Sequence, residues 1–154
     1  MAQWTAERPD LDVTPQGIIG RLHRIALRLT DELVDVYADY GLGEGEFDIL
    51  ATLRRSGPPY ALTPTELAEQ AMVTSGAITK RVDRCIAHGW VTRQRNDEDR
   101  RGRLIALTPH GKDLIDTAFT AHIANEARLL APLSDRHRQA LATALEAWAN
   151  QLGL

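Results

Sequence analysis

Residues 90–109, Trp-Val-Thr-Arg-Gln-Arg-Asn-Asp-Glu-Asp-Arg-Arg-Gly-Arg-Leu-Ile-Ala-Leu-Thr-Pro, constrain the fold more than any other stretch of this chain. Two short β-prone runs flank a charged turn that holds Gly102. That is the pattern of a hairpin with an extended loop. Upstream, Thr63 precedes Pro64 and has Glu66 three residues on, a capping box that opens a helix to about Gln70. Ala71, Met72 and Val73 make a tight turn. Thr74 caps a longer helix to about His88, and Gly89 ends it. Short helix, tight turn, longer helix and hairpin predict a winged helix-turn-helix, a device that grips duplex DNA. The expected fold class is mainly α with a small β-hairpin wing.

The flanks are predicted helical. Thr14 and Pro15 open a helix to about Tyr40, with Ile18, Leu22, Ile25, Leu29, Leu33 and Val36 on one stripe. Glu44 to Arg55 reads as a shorter helix. Thr108 and Pro109 open another to about Leu130, and Ser134 caps the last, which carries Leu141, Leu145, Trp148 and Leu152. These stripes exceed what a small winged lobe can cover. Residues 1–40 and 109–154 are therefore expected to join two copies into a homodimer, with residues 44–107 as the DNA-binding lobe of a single domain, 1–154. A dimer sets two recognition helices about 34–36 Å apart, the spacing of a palindromic operator.

The net charge is −3, yet Thr74 to Arg103 holds eight basic and four acidic residues, leaving −7 elsewhere. A positive stripe on an acidic body is the electrostatic footprint of a local DNA contact. On the second helix, Ile78, Val82, Cys85 and Ile86 form the buried face. Thr74, Ser75, Gly76, Thr79 and Lys80 occupy the exposed start that meets base edges and phosphates, with Arg84 further along. In the wing, Arg95, Arg100, Arg101 and Arg103 are the candidate contacts. Arg101 is placed to enter a minor groove, while Asp97 and Asp99 pair with neighbouring arginines to hold the hairpin.

Other classes find little support. One cysteine, Cys85, allows no internal disulfide. The five histidines show no metal-ligand spacing. There is no Gly-rich phosphate loop and no nucleophile elbow, so an enzyme is not expected. No apolar run approaches the roughly 20 residues of a membrane span, and the first residues lack a signal-peptide core. The expected location is cytoplasmic, with no membrane partner. The alternative to a ligand-operated regulator is a redox sensor acting through Cys85.

Asp99-Arg100-Arg101-Gly102-Arg103 followed by Leu104 to Gly111 resembles the wing of the MarR family of transcriptional regulators. The resemblance extends through Leu62 to Ala68 and Ser75 to Arg84. It implies a triangular dimer of winged-helix subunits that represses nearby genes and leaves DNA on meeting a small ligand or oxidant. Trp90 and Lys80 depart from the pattern, and both put DNA preference in question more than fold. Trp4-Thr5-Ala6-Glu7-Arg8-Pro9-Asp10-Leu11-Asp12 further resembles the extension of the urate-responsive branch, the HucR and PecS type. That resemblance implies an added N-terminal helix and a pocket of Trp4, Asp48, Arg81 and Arg93 between the two lobes. It implies no cofactor, but a small anionic effector such as urate. The chemistry is apt: Arg81 offers a forked donor to a planar anion, and Trp4 a flat face and an N–H. Asp48 is expected to pair with Arg93 in the empty pocket. An arriving anion would repel it and disturb the helix and wing.

Overall fold

The computed structural model describes residues 2–71, 75–95 and 102–153, and for residues 75–77 the backbone alone. Among the described residues the chain runs α1 (Ala2–Glu7), α2 (Thr14–Ala38), α3 (Glu44–Arg55), β1 (Ala61–Leu62), α4 (Pro64–Gln70), α5 (Ser75–Ala87), β2 (Val91–Arg95), β3 (Arg103–Leu107), α6 (Pro109–Leu130) and α7 (Asp135–Leu152). The mainly helical class with a small wing is the fold observed. The wing hairpin has a third strand: β1 pairs antiparallel with β3, giving the order β1-β3-β2. Two residues are too few to show an alternating pattern, which is why the sequence does not announce β1.

The helix boundaries follow from local chemistry. Thr63 Oγ1 accepts the Glu66 amide at 3.2 Å while a Glu66 carboxylate oxygen accepts the Thr63 amide at 2.8 Å, so the capping box is reciprocal. Thr108 Oγ1 accepts from the Gly111 amide and donates to the Gly89 carbonyl, tying the start of α6 to the end of α5. Gly111 makes that junction possible: a Cβ there would lie 1.9 Å from the Trp90 carbonyl oxygen. Trp90 itself is buried and stacks on His88, with centroids 4.4 Å apart.

The core lies beneath the winged lobe. Leu50 and Leu53 of α3, Leu67 of α4, Val82 of α5, Ile105 of β3 and Ile115 of α6 close it. Burying each such side chain contributes about 1.5–3 kcal/mol. An aromatic joint links this lobe to the long helices. Tyr37 of α2 stacks on Phe47 of α3 at 4.0 Å. The Tyr37 hydroxyl is 3.3 Å from Nδ1 of His122 on α6. Burial, with the nearby Asp48 charge, pushes that hydroxyl up to about 12. The joint fixes the residue after Phe47, which is Asp48.

The long helices are only partly covered. Along α2 only Gly17 and Tyr37 are buried, while Ile18, Ile19, Ile25 and Leu27 are exposed. α7 has no buried residue. Ile25, Leu29 and Leu33 of α2 meet Leu130, Leu133 and Leu141 around a greasy cavity of about 480 Å³. No helix among the described residues is long and apolar enough to cross a membrane.

Candidate DNA interface and anion pocket

The amphipathic pattern of α5 determines what it can present outward. Ile78, Val82 and Cys85, spaced by four and three, are buried against the core. Thr79 and Lys80 therefore lie on the exposed face of its first turns. Ser75 and Gly76 are placed by their backbone in the first turn. Thr74, Arg100 and Arg101 lie outside the described residues, as do Asp97 and Asp99 with their expected pairing.

The helix is held in place by ions as well as by apolar contact. Arg84, assigned from sequence to DNA, donates Nε to a carboxylate oxygen of Glu46 on α3. Glu46 is buried apart from this partner, while the Arg84 side chain remains 59% exposed. Asp83 accepts from Arg93 Nη2 of β2 at 2.7 Å. Arg81 Nη1 donates to Asp48 Oδ2 of α3 at 3.3 Å. Two of these struts bind α5 to α3, and one binds it to the wing strand. The exposed Arg93–Asp83 pair contributes about 0–1 kcal/mol and acts as a positioning contact, whereas Glu46 is buried and depends on Arg84, because a buried carboxylate left unpaired is costly.

The wing strands carry positive charge of their own. Arg95 of β2 stands directly opposite Arg103 of β3, and both are exposed. Like charges directly across an antiparallel pair repel. An anionic partner such as a phosphate backbone relieves that repulsion.

The expected pocket is only partly assembled within one chain. Asp48 and Arg81 meet; Asp48 and Arg93 do not, because Arg93 is engaged by Asp83. The expected Asp48–Arg93 pair is thus replaced by Asp48–Arg81, with Arg93 one strut away. Burial raises the Asp48 carboxyl above its ordinary value, and the Arg81 charge only partly offsets this. The Arg81 guanidinium lies over Gly45, where a Cβ would be 2.7 Å from its Nε. Sequence reasoning missed Gly45 and Glu46. Glu46 and Arg84 are 38 positions apart, and no local pattern signals such a pair. Trp4 is elsewhere, in a cleft between α1 and the first turns of α2 with Gly17, Arg21 and Arg24. Gly17 to Arg24 precede Tyr37 by thirteen to twenty helical residues, roughly 20–30 Å along the axis at 1.5 Å per residue. Trp4 therefore does not join Asp48 within its own chain.

The redox alternative is not supported. Cys85 is fully buried on the core face of α5, and burial pushes its thiol up to about 12. A sensing cysteine needs an accessible thiolate.

Comparison with known proteins bears on this arrangement. The sequence profile of the MarR family matches residues 40–102. The chain is 42% identical over 136 residues to the HTH-type transcriptional regulator PecS of Dickeya dadantii, covering 88% of this chain and 82% of that protein. Its fold matches AbsC, a MarR family transcriptional regulator from Streptomyces coelicolor, with a TM-score of 0.82 at 24% identity over 92% of this chain and 96% of that one. It also matches a MarR variant from Escherichia coli complexed with operator DNA, with a TM-score of 0.74 at 25% identity, covering 86% and 92% of the two chains.

Proposed function

The chain belongs to the MarR family, and from that premise we propose that it is a repressor released from DNA by a small planar anion. It is a DNA-binding transcriptional regulator of the MarR type, and such regulators are not enzymes. The finer reading has two copies joined through α1, α2, α6 and α7, with α5 of each entering a major groove of a palindromic operator. Residues 44–107 form the DNA-binding lobe. Lys80 and Thr79, with Thr74, Ser75 and Gly76, meet base edges and phosphates. Arg95, Arg100, Arg101 and Arg103 of the wing grip the flanking backbone and minor groove. The uncovered apolar faces of α2 and α7 support the dimer.

The observation that carries the switch is the Arg81–Asp48 contact. It ties the recognition helix to α3 through one 3.3 Å hydrogen bond, and burial disfavours the charged form of the carboxylate that accepts it. A planar anion offers Arg81 a better, forked partner and repels Asp48. When the strut opens, α5 loses one of two ionic links to α3, and the Asp83–Arg93 link carries the disturbance into the wing. A coupling of roughly 1–3 kcal/mol makes DNA binding about 5–150-fold weaker. The similarity to PecS and to the urate-responsive branch makes urate the first effector to try. No cofactor is invoked. Titrating the protein and its operator duplex with urate tests the reading: release by urate from the wild type, and not from Arg81→Ala, supports it, and equal release from both rejects it.

A further inference from the structure

We propose that Tyr60 is a positioning residue for the wing: its ring locks the start of β1 to α3 and α6 and so aims the three-stranded sheet at DNA. Tyr60 immediately precedes β1 and is half-buried. Among the described residues it alone, glycines apart, has a positive φ, 60°. That backbone crowds a Cβ, and a bulky residue stays there only where its surroundings hold it. Three contacts do so. The Tyr60 amide donates to the Gly57 carbonyl at 2.7 Å, and the Tyr60 carbonyl accepts the Leu107 amide of β3 at 3.0 Å. The ring meets two cations, the Arg54 guanidinium of α3 at 4.9 Å from its centroid and the Lys112 ammonium of α6 at 5.9 Å.

Glycine takes such a backbone without strain, so it is the ring that accounts for a tyrosine here. One carboxylate organises both cations: Asp116 of α6 accepts from Arg54 Nε at 2.6 Å and from Lys112 Nζ at 2.9 Å. These bonds, that of Arg54 foremost, hold the Asp116 carboxyl below its ordinary value, so the cluster keeps its charges at neutral pH. The path from the ring to the wing is short. β1 pairs with β3 at Ala61–Ala106 and Leu62–Ile105, and β3 carries β2 on its other edge. Arg103 lies four residues before Leu107 on β3, opposite Arg95, roughly 13 Å along the strand. A tilt of about 10° at Leu107 displaces Arg103 by roughly 2 Å over that length, enough to break a hydrogen bond to a phosphate. Arg93 with Asp83 fixes β2 to α5. Tyr60 fixes the opposite edge of the sheet, and the two ties together set the angle of the wing to the recognition helix.

The proposal rests on the wing contacts of Arg95 and Arg103 proposed above, and the salt dependence of operator binding separates the two. The slope of log K against log salt counts phosphate contacts, and a loss of stability alone does not move it. Tyr60→Gly suits the backbone, removes the ring and is expected to reduce the slope by about 0.9–1.8, the loss of one or both arginine contacts. Tyr60→Phe keeps the ring and should match the wild type. In an Arg95→Ala, Arg103→Ala background, Tyr60→Gly should reduce the slope no further. Asp116→Asn leaves Tyr60 in place but unlocks its cations. It should reproduce the loss, and it carries the test if Tyr60→Gly does not fold. A wild-type slope in folded Tyr60→Gly or in Asp116→Asn, beside reduced slopes in Arg95→Ala and Arg103→Ala, overturns the proposal. So does Tyr60→Phe behaving like Tyr60→Gly, or a further reduction in the doubly substituted background. Wild-type slopes in Arg95→Ala and Arg103→Ala would remove the wing reading itself, and the proposal with it.

Discussion

Arg81 Nη1 of the recognition helix lies 3.3 Å from Asp48 Oδ2 of α3, and the rest of its guanidinium rests on Gly45. The contact is a single hydrogen bond to a carboxyl that burial holds above its ordinary value, so an incoming anion that offers two acceptors competes with one. Asp48→Asn removes the competitor without changing shape. An anionic effector should then bind about tenfold more tightly, roughly 1.4 kcal/mol, measured by calorimetry. Unaltered affinity would mean that Asp48 does not contest Arg81.

Effector binding should also take up protons. The Asp48 carboxyl already sits above its ordinary value in the folded chain. Its contribution to folding is therefore largest below the unfolded-state value and lost as pH rises through the folded one. An anion beside it raises that folded value further, so more Asp48 is protonated in the complex than in the free protein. Calorimetry in buffers of different ionisation enthalpy should detect net uptake just above the ordinary carboxylate range. The uptake should vanish in Asp48→Asn.

The opposed arginines of the wing make a prediction about salt. Arg95→Ala and Arg103→Ala each remove one backbone contact and relieve the repulsion across β2 and β3. Each should lower the slope of log K against log salt by about 0.9, while the free protein becomes no less stable to heat. Slopes equal to the wild type would place these side chains away from the phosphates.

The greasy α2 face has an oligomeric consequence. Ile25 is 54% exposed and lines the cavity that α2 shares with α6 and α7. Ile25→Glu puts a charge there. Sedimentation should show a dimer for the wild type and a monomer for the variant, with loss of tight operator binding. A wild type that sediments as a monomer would contradict the pairing of terminal helices.

Cys85 tests the rejected alternative. Its thiol is buried and pushed up to about 12, so peroxide should leave operator binding unchanged. Cys85→Ser should instead cost about 1–3 kcal/mol of stability, because it buries a hydroxyl in an apolar site. Thermal unfolding and binding after peroxide treatment measure the two effects.

The elements were legible wherever chemistry is local. Thr63 and Glu66 announce α4, Thr108 announces α6, and the spacing of Ile78, Val82 and Cys85 fixes which face of α5 points inward. The pocket was legible in part. Asp48 and Arg81 meet, but the expected Asp48–Arg93 partnership does not form, because Asp83 is ten residues from Arg93 and reaches it across the α5–β2 turn. Pair choice of this kind depends on tertiary distances that residue type does not carry. The same is true of Glu46 with Arg84, and of Trp4, whose helix lies on the far end of α2.

The most direct measurement is urate titration of the protein bound to its operator duplex at fixed salt, in wild type and Asp48→Asn side by side. The account predicts release of the wild type by urate, operator binding by Asp48→Asn and Arg81→Ala that is already about 5–150-fold weaker without urate because their strut is open, and no further response of Arg81→Ala. Release at the same urate concentration in all three proteins would contradict it.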